Sequence, residues 1–233
     1  MSLRISDVRS GYGKKEVLHG VSLSINEKEI VVMIGHNGAG KTTLLKSVFG
    51  LIRTSTGEII YNDQSIRGFS PHKNMQEGII YVPQERNVFP GLTVLENMQV
   101  SDHILNAPST FDKSFAQITE LFPVIRERRT QRAGTLSGGE QKMLALSMAL
   151  IVRPKLILLD EPSLGLSPIN VKKFMDTLKL LNKEMDLTIF LIEQNIKQSL
   201  RIAQRVYVMK GGLISNEYSG SELLKKEDLW KLL

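Results

Sequence analysis

The chain has 233 residues, 42% of them hydrophobic and 23% charged, with no long biased tract. That excludes a disordered or fibrous protein and allows one large domain or one domain carrying a smaller insert. Cysteine is absent, which excludes disulfides and thiolate metal sites, and the net charge of +6 comes from basic residues scattered among acidic ones, so no nucleic-acid partner is expected.

The opening Met1-Ser2-Leu3-Arg4 lacks the apolar centre of a signal peptide, and no apolar run reaches the roughly 18 residues that a membrane-spanning helix needs. A cytoplasmic chain is therefore expected. Apolar runs bounded by turn residues predict strands over 21–25, 30–34, 57–61, 79–82, 156–159, 187–192 and 205–209. Several of these runs are almost wholly apolar, as in strands buried on both faces, and helices predicted over 41–49 and 169–182 supply the cover. The expected core is α/β with a largely parallel sheet.

After strand 30–34 comes Gly35-His36-Asn37-Gly38-Ala39-Gly40-Lys41-Thr42, a match to G-x-x-x-x-G-K-[ST] placed between a strand and a helix. Glycines let backbone N–H groups turn inward around an anion and approach it closely. Lys41 would reach the β- and γ-phosphates of ATP, Thr42 would place its hydroxyl on Mg²⁺, and the helix N-terminus would add partial positive charge. Thr43, directly after the motif, is counted with the nucleotide site, whereas the His36 side chain is expected at the surface.

The strand rhythm breaks over 83–153, where helices are predicted at 93–100, 112–121 and 138–151. This reads as a helical insert between core segments 1–82 and 154–233. Thr93 and Glu96 form a capping-box pattern, the basic run Arg126 to Arg129 reads as a solvated helix end, and Arg153-Pro154 stops the last helix. Within the insert, Ser137, Gly138 and Gly139 begin a helix and present N–H groups without bulky side chains, a second anion site.

Strand 156–159 runs into Asp160-Glu161 at the carboxyl edge, where open α/β sheets bind ligands. Asp160 is placed to hold Mg²⁺, largely through its water shell, and Glu161 to polarise the attacking water. Near the end, Gly211-Gly212 predicts a hairpin turn, followed by a short terminal helix.

Leu136-Ser137-Gly138-Gly139-Glu140-Gln141 resembles the signature motif of the ATP-binding-cassette family, in the family's order between phosphate loop and acidic strand. The resemblance covers nearly the whole chain. It implies a P-loop core with an N-terminal antiparallel β part and an inserted helical subdomain. It also implies a head-to-tail dimer, homomeric or with a second such ATPase subunit, in which Ser137, Gly138, Gly139 and Glu140 close on the partner's γ-phosphate. By the same resemblance Tyr12 stacks on adenine, Gln84 touches the metal site, and Gln194 stands at a catalytic switch position that most members fill with histidine. Ser167 likewise replaces a usual aspartate.

Longer segments, including Asn87 to Asn97, Gln131 to Gln141, Asp160 to Leu166 and Ile192 to Asn195, resemble the ATP-binding subunits of branched-chain amino acid importers. The resemblance implies transmembrane permease partners and a peripheral position on the cytosolic face, with only indirect membrane contact. A lipid or lipopolysaccharide exporter motor is the rival within transport. An ATP-gated scaffold such as those of iron–sulfur cluster assembly is the rival outside it.

Overall fold

A computed structural model describes residues 2–85, 88–103 and 111–225. Asn87, part of one of the resembling segments, lies outside the described residues. In chain order the first elements are β1 (Leu3–Tyr12), β2 (Lys15–Ile25), β3 (Ile30–Ile34), α1 (Lys41–Phe49), β4 (Thr54–Tyr61), β5 (Gln64–Ser65), α2 (Pro71–Gln76) and β6 (Ile79–Val82). Then come α3 (Val94–His103), α4 (Phe111–Leu121), α5 (Pro123–Glu127) and α6 (Gly138–Ile151). The chain continues through β7 (Leu156–Asp160), α7 (Pro168–Glu184), β8 (Thr188–Ile192), α8 (Ile196–Leu200), β9 (Arg205–Lys210), β10 (Leu213–Ser219) and α9 (Gly220–Leu224).

Two sheets form. One has the order β10-β9-β3-β8-β7-β6, parallel throughout except for the antiparallel edge strand β10. The other, β2-β1-β4-β5, is wholly antiparallel. Every residue of β3, β7 and β8 is buried, which the nearly continuous apolar runs require, because successive side chains must find cover on opposite faces. Ile30, Val32 and Ile34 of β3 join one apolar cluster together with α6 and α7 residues such as Leu150 and Phe174. Val31 and Met33 join the other, with Leu44 and Leu45 of α1 and Ile5 of β1. The parallel sheet is therefore the middle layer, between helices on one side and α1 with the antiparallel sheet on the other.

The observed β1 was not among the predicted strands, because a bulge hides its period. Leu3 and Ile5 alternate inward, the register then shifts before Val8, and Asp7 sits in the left-handed region at φ 48°. The strands predicted at 21–25 and 57–61 extend N-terminally to Lys15 and Thr54, where pairing with β1 carries them. Between β6 and β7 the described residues form helices, a 3-10 turn at Ala133–Thr135 and one isolated bridge, Thr93 to Arg132.

Two helix starts matter for the site. On α6, Ser137 Oγ accepts from Glu140 N–H, and Glu140 Oε2 accepts from both Ser137 N–H and Ser137 Oγ at 2.7–2.8 Å. α6 stops before Pro154, and Arg153 takes φ 53°, since the residue before proline is crowded out of the helical region. By contrast α1 begins at Gly40, at φ 107°, with no side-chain cap at all. Its first N–H groups are left to a ligand. The hairpin at Gly211-Gly212 forms as predicted, both residues at positive φ and Leu213 paired with Lys210.

Candidate functional site

Strand order assembles the site. β3, β8, β7 and β6 are successive parallel neighbours, so their carboxyl ends lie side by side. The phosphate loop leaves β3, Glu193 and Gln194 leave β8, Asp160 and Glu161 end β7, and Gln84 follows β6. Residues as distant as Asn37 and Gln194 thereby meet, with Gln194 Nε2 donating to Asn37 Oδ1 at 3.3 Å.

The phosphate loop turns tightly over β9. A side chain at Gly35 would place its Cβ 2.3 Å from the Met209 carbonyl, and Gly40 needs its left-handed φ to turn into α1. Lys41 is buried and its ammonium donates to the carbonyls of Gly35 and His36 at 2.7 and 3.0 Å. Burial holds its pKa below the ordinary lysine range, while the nearby Glu161 and Asp160 charges pull it back up. An arriving phosphate would satisfy this cation better than neutral carbonyls do.

Asp160 is 1% exposed and both its oxygens are engaged. Thr42 Oγ1 donates to Oδ1 at 3.0 Å and the Tyr81 hydroxyl to Oδ2 at 2.9 Å. Burial pushes the Asp160 carboxyl above its ordinary pKa, and those two donors oppose the shift. Burial and the Asp160 charge together raise the Tyr81 pKa far above the usual phenol range, so it remains an O–H donor. The Thr42 hydroxyl and the Asp160 carboxylate are hard oxygen donors that already sit side by side, a set that fits Mg²⁺ completed by water and phosphate oxygens. Among the described residues no cluster of three or more His, Cys, Asp or Glu offers an all-protein metal site.

Glu161 stands at φ 48°, an uncommon conformation for a non-glycine residue, fixed by its N–H bond to the Ile192 carbonyl at 2.9 Å. Its Oε2 accepts from Gln194 Nε2 at 2.6 Å and from Gln84 Nε2 at 3.1 Å. Two amides from two neighbouring strand ends thus aim one carboxylate. Gln84 is itself held from the insert side, where Lys142 Nζ of α6 donates to its carbonyl at 2.7 Å. Gln84 therefore meets the proposed base Glu161, and its described hydrogen bonds do not reach Thr42 or Asp160.

A cleft of about 420 Å³ is lined by Tyr12, Asn37, Gly38, Gly40, Lys41, Thr42, Thr43, Gln84, Glu161 and Gln194. Tyr12, at the end of β1, is 51% exposed and offers a ring face for a base to stack on. His36 is exposed and Ala39 packs into the core. Ser137, Gly138, Gly139 and Glu140 do not line this cleft. The Ser137 N–H, expected to be free, is instead taken by Glu140 Oε2 in the capping box, whose other bond takes the Glu140 N–H. Gly138 and Gly139 remain the open donors of that helix start. Tyr81, Lys142 and Glu193 escaped the sequence reading; a lone tyrosine in the otherwise aliphatic strand 79–82 was the available signal.

The profile of the ABC transporter family matches residues 18–164. The chain is 42% identical over 222 residues to the high-affinity branched-chain amino acid transport ATP-binding protein BraG of Pseudomonas aeruginosa, covering 95% of this chain and 94% of that one. It is 36% identical to the probable branched-chain amino acid transport ATP-binding protein LivF of Archaeoglobus fulgidus, covering 99% and 97%. Its fold is similar to the ADP conformation of MJ1267, an ATP-binding cassette of an ABC transporter, with TM-score 0.86, 25% identity and coverage of 99% and 97%.

Proposed function

Because the chain belongs to the ABC transporter family, as an ATPase subunit that binds and hydrolyses ATP, we propose that it energises the uptake of branched-chain amino acids through a membrane permease. The observation that carries the ATPase part is the Glu161 carboxylate, aimed by Gln84 and Gln194 at the mouth of the phosphate loop. The names and the extent of the two relatives support the substrate class.

In this reading the adenine stacks on Tyr12, the α1 start and Lys41 hold the phosphates, and Thr42 and Asp160 hold Mg²⁺, with Gln84 close by. The metal, when bound, neutralises charge on the phosphate oxygens. Glu161 takes the proton of a water as its oxygen attacks the γ-phosphorus, and the bond to the bridging oxygen breaks, releasing ADP and phosphate. Gln194 donates a neutral hydrogen bond to the γ-phosphate in place of a titrating histidine. The Gly138 and Gly139 N–H groups close on the γ-phosphate of a second ATPase subunit, alike or unlike. Among the described residues no helix is long and apolar enough to cross a membrane. In this reading the permease is a partner on which the subunit docks from the cytosolic side.

The test is isolation of the assembled complex in detergent, identification of its membrane subunits, and reconstitution into liposomes with ATP on this subunit's side. Uptake of labelled leucine, isoleucine or valine should require ATP and vanish with Lys41→Ala. Outward lipid movement in place of amino acid uptake overturns the substrate assignment.

A further inference from the structure

Next to the phosphate site lies a second cavity, about 570 Å³, walled by Glu161, Ser163, Leu164, Glu193 and Gln194 among other residues. Glu193 is 2% exposed, directly precedes Gln194, and has no place in the hydrolysis steps given above. Its carboxylate is held by four neutral donors. Oε1 accepts from Ser163 N–H at 3.0 Å, and Oε2 accepts from Ser163 Oγ at 2.7 Å, Gln194 N–H at 3.2 Å and Asn195 N–H at 3.3 Å. Ser163, 5% exposed, lies two residues beyond Glu161. One side chain therefore ties the loop after β7 to the loop after β8.

Burying a carboxylate costs several kcal/mol, and a well-packed apolar residue is often the more stable choice at such a position. Burial indeed pushes the Glu193 carboxyl above its ordinary pKa, against the pull of Ser163 and the two backbone N–H groups. What the carboxylate supplies that an apolar side chain cannot is multiple acceptance: two oxygens can hold two loops in one geometry at once. Those two loops carry the two partners of the shortest contact in the site, Gln194 Nε2 to Glu161 Oε2 at 2.6 Å.

We propose that Glu193 is a positioning residue for ATP hydrolysis, its carboxylate clamping the Glu161 loop to the Gln194 loop so that base and γ-phosphate sensor move as one unit. The clamp rests on the roles proposed above for Glu161 and Gln194. The Glu193 carboxylate itself makes no described hydrogen bond to the phosphate loop or to Tyr12, so its loss slows turnover and spares ATP binding. A purely structural role would instead lower thermal stability and ATP affinity together.

The experiment measures steady-state hydrolysis, ATP affinity by calorimetry and melting temperature for the parent chain, Glu193→Gln, Ser163→Ala, Ser163→Thr, Gln194→Ala and the double variant Glu193→Gln/Gln194→Ala. An amide at 193 keeps the shape but accepts through one oxygen only. Expected is a kcat about tenfold lower in Glu193→Gln and about threefold lower in Ser163→Ala, with KM and ATP affinity within about twofold and Ser163→Thr near the parent. The double variant should be no slower than the slower single variant, since both lesions break one unit. Additive losses, parental kcat in Glu193→Gln and Ser163→Ala, or ATP affinity falling in step with kcat overturn the clamp. Should Glu193→Gln fail to fold, Ser163→Ala and its pairing with Gln194→Ala decide by the same criteria. Parental turnover in Gln194→Ala sinks the sensing role and the clamp with it; a slow Gln194→Ala beside unaffected Glu193→Gln and Ser163→Ala sinks the clamp alone.

Discussion

At the scale of single residues, the carboxylate proposed for the metal side is a destabilising group. Asp160 is buried and its pKa is raised, so just above the ordinary aspartate range the folded chain still holds a proton that the unfolded one has released. The sign follows from linkage: ν is larger in the folded state, and stability falls as pH rises from the unfolded pKa to the folded one. Asp160→Asn should therefore raise the melting temperature of the nucleotide-free protein at about pH 7 by more than at about pH 4, while abolishing Mg²⁺-dependent hydrolysis. Equal gains at both pH values in a melting series rule this account out. Tyr81 makes a second expectation: its hydroxyl anchors Asp160 Oδ2, leaving Oδ1 for Thr42 and the metal. Tyr81→Phe removes a hydrogen bond to a charged group, a contact of about 2 kcal/mol, and leaves the ring packed on Phe49. Calorimetric titration should then require several-fold more Mg²⁺ for the same ATP affinity. Tyr81 stood out only as a lone tyrosine in an aliphatic strand, and Glu193 not at all, because Asp160 and Ser163, the partners that give them a role, are brought near only by the strand order.

At the scale of elements, the punctuation in the chain decided how much could be read. β3, α1 and α6 begin and end where the sequence reading put them, since Gly40, Gly50, Ser137 and Arg153-Pro154 mark their ends by local chemistry. β1 could not be found by alternation because its bulge changes the period, and the short helices α2, α5 and α8 are too brief for a period to show. The phosphate loop was legible for the same reason as α1, whereas the positions of Gln84 and Gln194 depended on family resemblance. The start of α6 carries its own test. Ser137 caps the helix whose next residues, Gly138 and Gly139, carry its open donors, so Ser137→Ala should cost about 1 kcal/mol of stability. ATP affinity of the single subunit should stay unchanged while turnover falls, because these residues do not line its own cleft. A loss of affinity in the isolated subunit, read by calorimetry, counts against a role across a dimer.

At the scale of the whole molecule, one chain holds a phosphate loop with its base and, apart from that cleft, a second helix start with free N–H groups. Each copy is thus half of a site if two cassettes meet head to tail. Glu161→Gln keeps an amide that can still bond Gln84 or Gln194 and removes the proton acceptor, so ATP should bind normally and hydrolysis should slow by at least about a hundredfold. Light scattering should show an ATP-dependent dimer that persists, because the γ-phosphate that joins the halves is not removed; a monomer under saturating ATP argues against the shared site. The strand order has a further consequence, for synthesis of the chain. β3, which launches the phosphate loop, pairs on one side with β8 and on the other with β9. Both of its neighbours are translated more than 150 residues later. While the ribosome is still making the helical segment, β7, β8 and β9 do not yet exist, and the phosphate loop has no strand on either side to set it. Such non-local pairing makes for slow closure and exposes apolar strand edges in the interval. A nascent chain shorter than about residue 210 therefore has the antiparallel sheet within reach of completion and the nucleotide site out of reach, so that ATP can first be gripped only once β8 and β9 have been made.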